Sequence, residues 1–366
     1  MFNNAYKGRR VFVTGHTGFK GSWLTTWLLE LGAEVAGYAL EAPSTPSAFE
    51  VLGLERRIRH THGDVRDAAR LTEAVREFRP EVVFHLAAQA LVRPSYEDAP
   101  GTFAINAMGT LNLLEAVRAC PSVKTVVCIT SDKCYRNDEW VWGYRETDHL
   151  GGHDPYSASK ACAEIIAHSY FKSFFAGGPN AATVRAGNVI GGGDWALDRI
   201  VPDCAKAWME RKPVMIRSPH ATRPWQHVLE PLSGYLQLGA MLLAGKESPK
   251  GLPLNAEAFN FGPPSAVNAE VLEVAETLAK LWPGFRYECD PAAVAGKKEC
   301  TLLKLCCDKA LAHLDWRATL DFAETMRFTA EWYQAYADDQ AMYACTIGQI
   351  AEYVRKAEAG GPAWTK

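Results

Sequence analysis

The sequence predicts an α/β fold: a Rossmann-type, doubly wound parallel sheet with a smaller mixed α/β C-terminal lobe. Three observations carry that expectation. Short β-branched runs alternate with longer amphipathic stretches from Arg10 to Val189, and three glycines spaced by three follow the first run directly. After Gly191 the alternation gives way to glycine- and proline-containing loops between shorter elements. Strands alternating with helices build a parallel sheet whose ligands lie beyond the strand C-termini.

Taken in order, Val11–Thr14, Glu34–Leu40, Ile58–His62, Val82–Leu86, Val123–Thr130 and Ala182–Arg185 read as strands. Helices on both faces would make such strands nearly continuous apolar runs, as they are here. Ser22–Leu31, Ala68–Phe78, Thr102–Ala119 and Ser157–Phe175 carry helical spacing between them. Later helical segments are expected at Ala269–Leu281 and Ala323–Tyr336. The expected division is a dinucleotide-binding domain over 1–190 and a ligand-selecting lobe over 191–366, some of whose segments return to the first domain. The crevice between them is the natural site.

Composition narrows the function classes. The 366 residues hold 39 Lys plus Arg against 42 Asp plus Glu, a net charge of −3. That balance argues against a nucleic-acid binder, whose footprint is basic, and against a polybasic membrane-surface protein. Apolar runs are strand-length, too short to span a bilayer, and the opening MFNNAYKGRR lacks the apolar core of a secretion signal. A cytoplasmic protein is expected. Its ten cysteines contain no CxxC pair and should be reduced thiols. No metal site is expected: His60 and His62 share one strand face, with no third ligand in view.

Thr14-Gly15-His16-Thr17-Gly18-Phe19-Lys20-Gly21 joins the first strand to the first helix. Such a turn lets the backbone approach a pyrophosphate, which the helix N-terminus attracts. The spacing is GxxGxxG, not the commoner GxGxxG. Gly15, Thr17, Gly18, Phe19 and Gly21 are the candidate cofactor contacts here, joined by Asp64, Val65, Ala87 and Ala88 at the ends of later strands. The acid expected to hold an adenosine ribose is missing: the second strand ends at Ala39-Leu40, and the nearest acid is Glu41. No Arg or Lys lies between Glu34 and Arg56, so NAD is expected over NADP. For Asp64 two readings stand equally, an acceptor for the adenine amino group and a helix N-cap.

Tyr156 and Lys160 are spaced i, i+4 and project from one helix face. A tyrosine near its ordinary pKa of about 10 is a poor base, and a lysine ammonium one turn away is expected to lower that value. Ser131, at the end of the fifth strand, could hydrogen-bond the same substrate oxygen.

The glycine turn, His85-Leu86-Ala87-Ala88, Ser131 and the Tyr156/Lys160 pair resemble the extended short-chain dehydrogenase/reductase family, in the expected order over the first 190 residues. Thr130-Ser131-Asp132-Lys133-Cys134-Tyr135, the stretch from Arg185 to Trp195 and the stretch from Arg223 to Pro231 extend the likeness over most of the chain. These blocks resemble the nucleotide-sugar 4,6-dehydratases, those acting on CDP-glucose in particular. Relatives acting on TDP- or GDP-sugars carry Asp-Glu where this chain has Asp132-Lys133.

The resemblance implies bound NAD and a nucleotide-sugar substrate, CDP-glucose. It implies oxidation at C4 with Tyr156 as base, loss of water across C5–C6 with Asp132 as acid, and return of the hydride to C6. Two roles stay open for Lys133: a neutral amine taking the C5 proton, and an ammonium stabilising the enolate. Asn188, Arg199 and Arg223 fall where family members hold the pyrophosphate; for each arginine a surface ion pair competes. Gln89 and Arg93 are candidates for the sugar or a phosphate, against a simple N-terminal helix contact. Asn106 is expected to position active-site backbone. The family also implies a homodimer through Thr102–Ala119 and Ser157–Phe175, or a homotetramer. A UDP-hexose 4-epimerase, another dehydratase of this fold and a non-catalytic NAD sensor are the rival readings.

Overall fold

The computed structural model describes residues 1–264, 267–289 and 302–366. Its centre is a seven-stranded, wholly parallel sheet. The strands are β1 (Arg10–Thr14), β2 (Glu34–Ala39), β3 (Arg59–His62), β4 (Val82–His85), β5 (Thr125–Ile129), β6 (Asn180–Arg185) and β7 (Glu257–Asn260), in the spatial order β7-β6-β5-β4-β1-β2-β3. The direction of winding reverses between β1 and β4, where a doubly wound sheet opens its ligand crevice. β7 comes from the second half of the chain and pairs with β6, so that half contributes to the central sheet.

Period-two alternation sorts the strand residues onto two cores. Val11, Val13, Val82, Phe84, Val127 and Ile129 face one helical layer, while Phe12, Val83, Val126 and Cys128 face the other. The second layer is α2 (Ala68–Phe78), α3 (Gly109–Arg118) and α4 (Pro155–Ser173). The first contains α1 (Phe19–Glu30), α5 (Leu229–Leu243), α6 (Phe322–Ala337) and α7 (Met342–Gly360).

Several boundaries differ from expectation for identifiable reasons. α1 starts at Phe19, before Ser22, because Gly18 takes the extended N-cap conformation while the Ser22 hydroxyl bonds back to the His16 and Gly18 carbonyls. The segment expected as one helix over Thr102–Ala119 contains a π-helical stretch at Ala104–Met108 ahead of α3. Such widened turns often mark functional positions, and this one carries Asn106. Ala269–Glu270 pair antiparallel with Thr222–Arg223, leaving a helix over Val271–Leu281.

Among the described residues nine cysteines are free thiols, and Cys300 lies outside them. No His/Cys/Asp/Glu cluster suited to a metal ion occurs among the described residues, and none of their helices is long and apolar enough to cross a membrane.

One buried acid ties the first layer together. Glu230, in the first turn of α5, accepts from the Thr319 and Leu320 amides at 2.6–3.0 Å and from the Tyr353 hydroxyl of α7 at 2.9 Å. Burial pushes its carboxyl from 4.5 up to about 7, against the opposing pull of those donors. The folded protein therefore holds a proton that the unfolded chain releases, and stability falls as pH rises from 4.5 toward 7. Glu230→Gln should remove this slope: denaturation at several pH values should show wild type losing stability relative to the variant across that window, and a constant difference would refute the assignment.

Candidate active site

The glycine turn is shaped by what surrounds it. Gly15 has φ +73°, and a Cβ there would lie 2.6 Å from the Ala87 nitrogen. At Gly21 a Cβ would lie 2.2 Å from the Gly15 carbonyl oxygen. Both positions thus require the absence of a side chain, and the first turn of α1 opens at the C-terminal edge of the sheet. The Thr17 hydroxyl donates to the Leu40 carbonyl at 3.0 Å, pinning the turn to the end of β2. On the other side, Thr14 Oγ1 meets His85 Nδ1 at 2.7 Å and accepts from the Ala87 amide at 3.2 Å. Ala88 follows, half-buried. Ala39, where an acid was expected, is buried.

Asp64 corrects one expectation. It does not cap a helix: the N-cap of α2 is Asp67, which accepts from the Arg70 amide at 3.0 Å. Asp64 instead accepts from the Arg66 amide and guanidinium at 2.6–2.9 Å, and the guanidinium holds its carboxyl below the ordinary range. Val65 is buried and stands where a Cβ on Gly109 would come within 2.6 Å of it. His60 is paired with His16, Nδ1 to Nε2 at 2.7 Å, inside the sheet edge.

The catalytic candidates converge from two elements. Pro155 opens α4, and Asp154 caps it through the Ser157 amide at 2.9 Å. That fixes Tyr156 and Lys160 on a buried face. Ser131 follows β5 and caps the short turn Asp132–Cys134, accepting from the Lys133 amide at 3.2 Å and donating to Asp132 Oδ1 at 2.9 Å. The Ser131 side chain also lies close enough to Tyr156 to lower its pKa. Asp132 fits because residue 187 is glycine: a Cβ there would lie 1.9 Å from Asp132 Oδ2. Asn106 ties the loop after β4 to α4, holding both backbone polar groups of Gln89 and donating to Ser159 Oγ at 2.8 Å; Ser159 in turn donates to the Tyr156 carbonyl at 2.7 Å.

The remaining candidates divide. Arg199 pairs with Asp194 at 2.8 Å and is a cation that acts on Tyr156, so it belongs to the pocket. Arg93 and Arg217 share Asp198, at 2.9 and 2.6 Å, on the surface. The Gln89 side chain is committed to its own loop, through Leu91 and Thr102. Asn188 has φ +49° and its carbonyl accepts from the Gln226 amide. Arg223 donates to the Thr222 carbonyl at 2.8 Å.

With that geometry in hand, comparison is informative. A family model described as GDP-mannose 4,6 dehydratase matches residues 12–329. The chain belongs to this family. It is 46% identical over 362 residues to a CDP-glucose 4,6-dehydratase of Salmonella typhimurium, covering 96% of this chain and 98% of the relative. It is 24% identical over 343 residues to the human GDP-mannose 4,6 dehydratase, covering 86% and 88%. Among solved structures, a Thermus thermophilus UDP-glucose 4-epimerase in complex with NAD superposes with a TM-score of 0.73 at 28% identity, covering 89% of this chain and 99% of that one. The dTDP-glucose 4,6-dehydratase DesIV of Streptomyces venezuelae, solved with NAD, shares the fold at a TM-score of 0.71 and 22% identity, covering 90% and 98%.

The electrostatics of this dehydratase pocket depart from expectation. Burial pushes Tyr156 up to about 12; the Ser131 hydroxyl and Arg199 pull it down, while Lys160 is not among the groups that do. Lys160 is itself lowered to about 8, by burial first, with Glu164 opposing. Two pocket residues escaped the sequence reading. Lys20, inside the glycine turn, is lowered to about 8 by burial, Lys160 and Arg199, and is drawn the other way by Asp132. Its Nζ lies 3.4 Å from the hydroxyl of Tyr235, a fully buried residue of α5. A lysine among three glycines was the available sign for the first; Tyr235 left none.

A buried ammonium opposes folding for as long as it stays charged. For Lys160 that cost is complete below about 8 and declines toward 10.5, because the folded side chain gives up its proton first. Lys160→Met should melt at a higher temperature than wild type at neutral pH, with the gap closing between about 8 and 10.5. A gap independent of pH would exclude burial of charge as its origin.

Proposed function

We propose that this chain converts CDP-D-glucose to CDP-4-dehydro-6-deoxy-D-glucose and water, using a tightly held NAD that is regenerated in each turnover. The observation that carries the reading is the Ser131-Asp132-Lys133 turn set against Tyr156, in a chain nearly half identical, over almost its full length, to a CDP-glucose 4,6-dehydratase.

The cradle at Gly15 and Gly21, which a Cβ would fill, suits a dinucleotide pyrophosphate, with Thr17, Gly18 and Phe19 beside it. Asp64, Val65, Ala87 and Ala88 line the adenosine side. NAD supplies the acceptor for the C4 hydride and its return to C6. Tyr156 takes the proton of the sugar 4-hydroxyl while Ser131 hydrogen-bonds the same oxygen. Its ionised fraction is small at about 12, so the neighbouring cation Arg199 serves to enlarge it as charge develops. The 4-keto group acidifies C5–H; Lys133 removes that proton and Asp132 protonates the departing 6-hydroxyl. Lys133 later returns its proton to C5, and transfer of the Tyr156 proton to Asp132 through solvent resets the pair. Arg199, Arg223 and Asn188 hold the substrate pyrophosphate, with Arg93 and Gln89 shaping the loop opposite. The lobe past residue 190 thus selects the nucleotide. A second copy of the chain covers the exposed Met108, Ile165 and Phe174 on and beside α3 and α4.

Assay of CDP-, TDP-, GDP- and UDP-glucose for an alkali-absorbing 4-keto product should give the highest kcat/KM with CDP-glucose, by about tenfold or more, equivalent to ~1.4 kcal/mol. Preference for another nucleotide, or 4-epimerisation without dehydration, would overturn the reading. Asp132→Asn should stall after oxidation and accumulate reduced cofactor; undiminished turnover excludes the acid role. Lys133→Met should fail to exchange C5–H of a pre-formed 4-keto substrate, and full dehydration by it excludes the base role.

A further inference from the structure

We infer that the buried Glu164–Arg185 pair is a positioning device that holds the Ser131–Lys133 turn in register with the Tyr156/Lys160 helix. The inference rests on the dehydratase reading above and concerns residues that touch no reacting atom.

Glu164 lies one helical turn beyond Lys160 on α4, and its side chain is 4% exposed; that of Arg185, at the end of β6, is 3% exposed. The carboxylate accepts from Arg185 Nε at 2.9 Å and Nη2 at 2.7 Å, from the Thr183 hydroxyl at 2.8 Å, and from the Thr130 hydroxyl. The remaining guanidinium nitrogen, Nη1, donates to the Tyr135 hydroxyl at 2.6 Å and to the Glu146 carbonyl at 3.1 Å. The Tyr135 hydroxyl in turn donates to Asn260 Oδ1 at 2.8 Å. Thr130 immediately precedes Ser131, and Tyr135 immediately follows Cys134. A single ion pair therefore grips both ends of the turn that carries Ser131, Asp132 and Lys133. Two residues past Arg185, Gly187 leaves the space Asp132 occupies.

This grip has an unequal effect on the two half-reactions. Tyr156 and Lys160 are fixed by α4 itself, so of the groups that serve oxidation at C4 only Ser131 depends on the clamp. Asp132 and Lys133 depend on it directly, and misplacement of a reacting group by an ångström costs on the order of a hundredfold in rate. A slack turn should slow elimination more than oxidation and leave the enzyme waiting with its cofactor reduced. Lysine at position 185 keeps the charge but cannot make the planar fork.

The test uses the full-length, NAD-loaded enzyme turning over CDP-glucose, reading kcat, KM and the steady-state absorbance of reduced nicotinamide per bound cofactor. Arg185→Lys and Tyr135→Phe should each lower kcat by about ten- to a hundredfold, leave KM little changed, and raise the reduced fraction. Thr130→Val should behave likewise, while Thr130→Ser, which keeps the hydroxyl, should restore wild-type partitioning. A merely structural role would lower the amount of active enzyme without moving the reduced fraction, and an unchanged fraction overturns the proposal. If Arg185→Lys does not fold, Tyr135→Phe decides, because it deletes one hydroxyl and keeps the packed ring. Wild-type enzyme inert toward CDP-glucose would instead overturn the functional reading.

Discussion

The catalytic geometry depends on an ion pair buried almost completely beneath the end of the sheet. Removing Glu164 and Arg185 from water costs several kcal/mol per ion, and breaking such a pair typically costs ~3–5 kcal/mol because the orphaned charge stays buried. Burial alone would push the Glu164 carboxyl up, yet Arg185 and the two threonine hydroxyls hold it below the ordinary range. That net direction requires nearly every lone pair and donor to be used, and they are: two threonines, a tyrosine and a backbone carbonyl complete the set. The pair belongs at once to α4, β6 and the loop after β5. A molecule that satisfies it has already brought Ser131 to Tyr156.

The glycine turn is subject to a second constraint of the same kind, imposed by packing. His16 sits above Gly37, where a Cβ would fall 2.4 Å from its ring, and its Nε2 meets His60 on β3. Burial and His60 lower its pKa to about 3, so the pair is neutral at physiological pH. With Thr17 bonded to the Leu40 carbonyl and Thr14 to His85, the turn is locked to β2, β3 and β4. Ala39 itself is buried at the end of β2, where a ribose-binding acid is usual.

How much of this was legible in the sequence depended on the kind of signal. The strands were readable because both faces are covered, which leaves no polar residues to interrupt β1, β4 or β5. α5 was not readable: Leu229–Leu243 is buried all round, so the 3.6-residue contrast that marks a surface helix is absent. Ser131, Asp132, Tyr156 and Lys160 could be singled out from the sequence because their spacing on a strand end and a helix face is local. Glu164, Thr130 and Tyr235 were missed because their partners lie 21 to 215 residues away, and separation of that order leaves no pattern in one sequence. Gln89 and Arg93 carry a weaker signal, since polar residues after a strand can equally be spent on their own loop or a surface pair.

The charge distribution follows from the same placement. The chain carries a net charge of −3, but around Asp132 the fold gathers Lys20, Lys160 and Arg199. Burial holds both lysines at about 8, with repulsion from Lys160 and Arg199 adding to it at Lys20, so near neutral pH each still carries most of its charge at a cost in stability. Two acidic side chains, Asp132 and the Asp194 that pairs with Arg199, stand among these three cations, which leaves a local excess of positive charge in a partly desolvated site, where a charge interacts more strongly than it would in bulk water. An anionic ligand relieves that excess directly. A basic surface would attract anions generally, whereas three cations inside one pocket favour only those whose shape admits them.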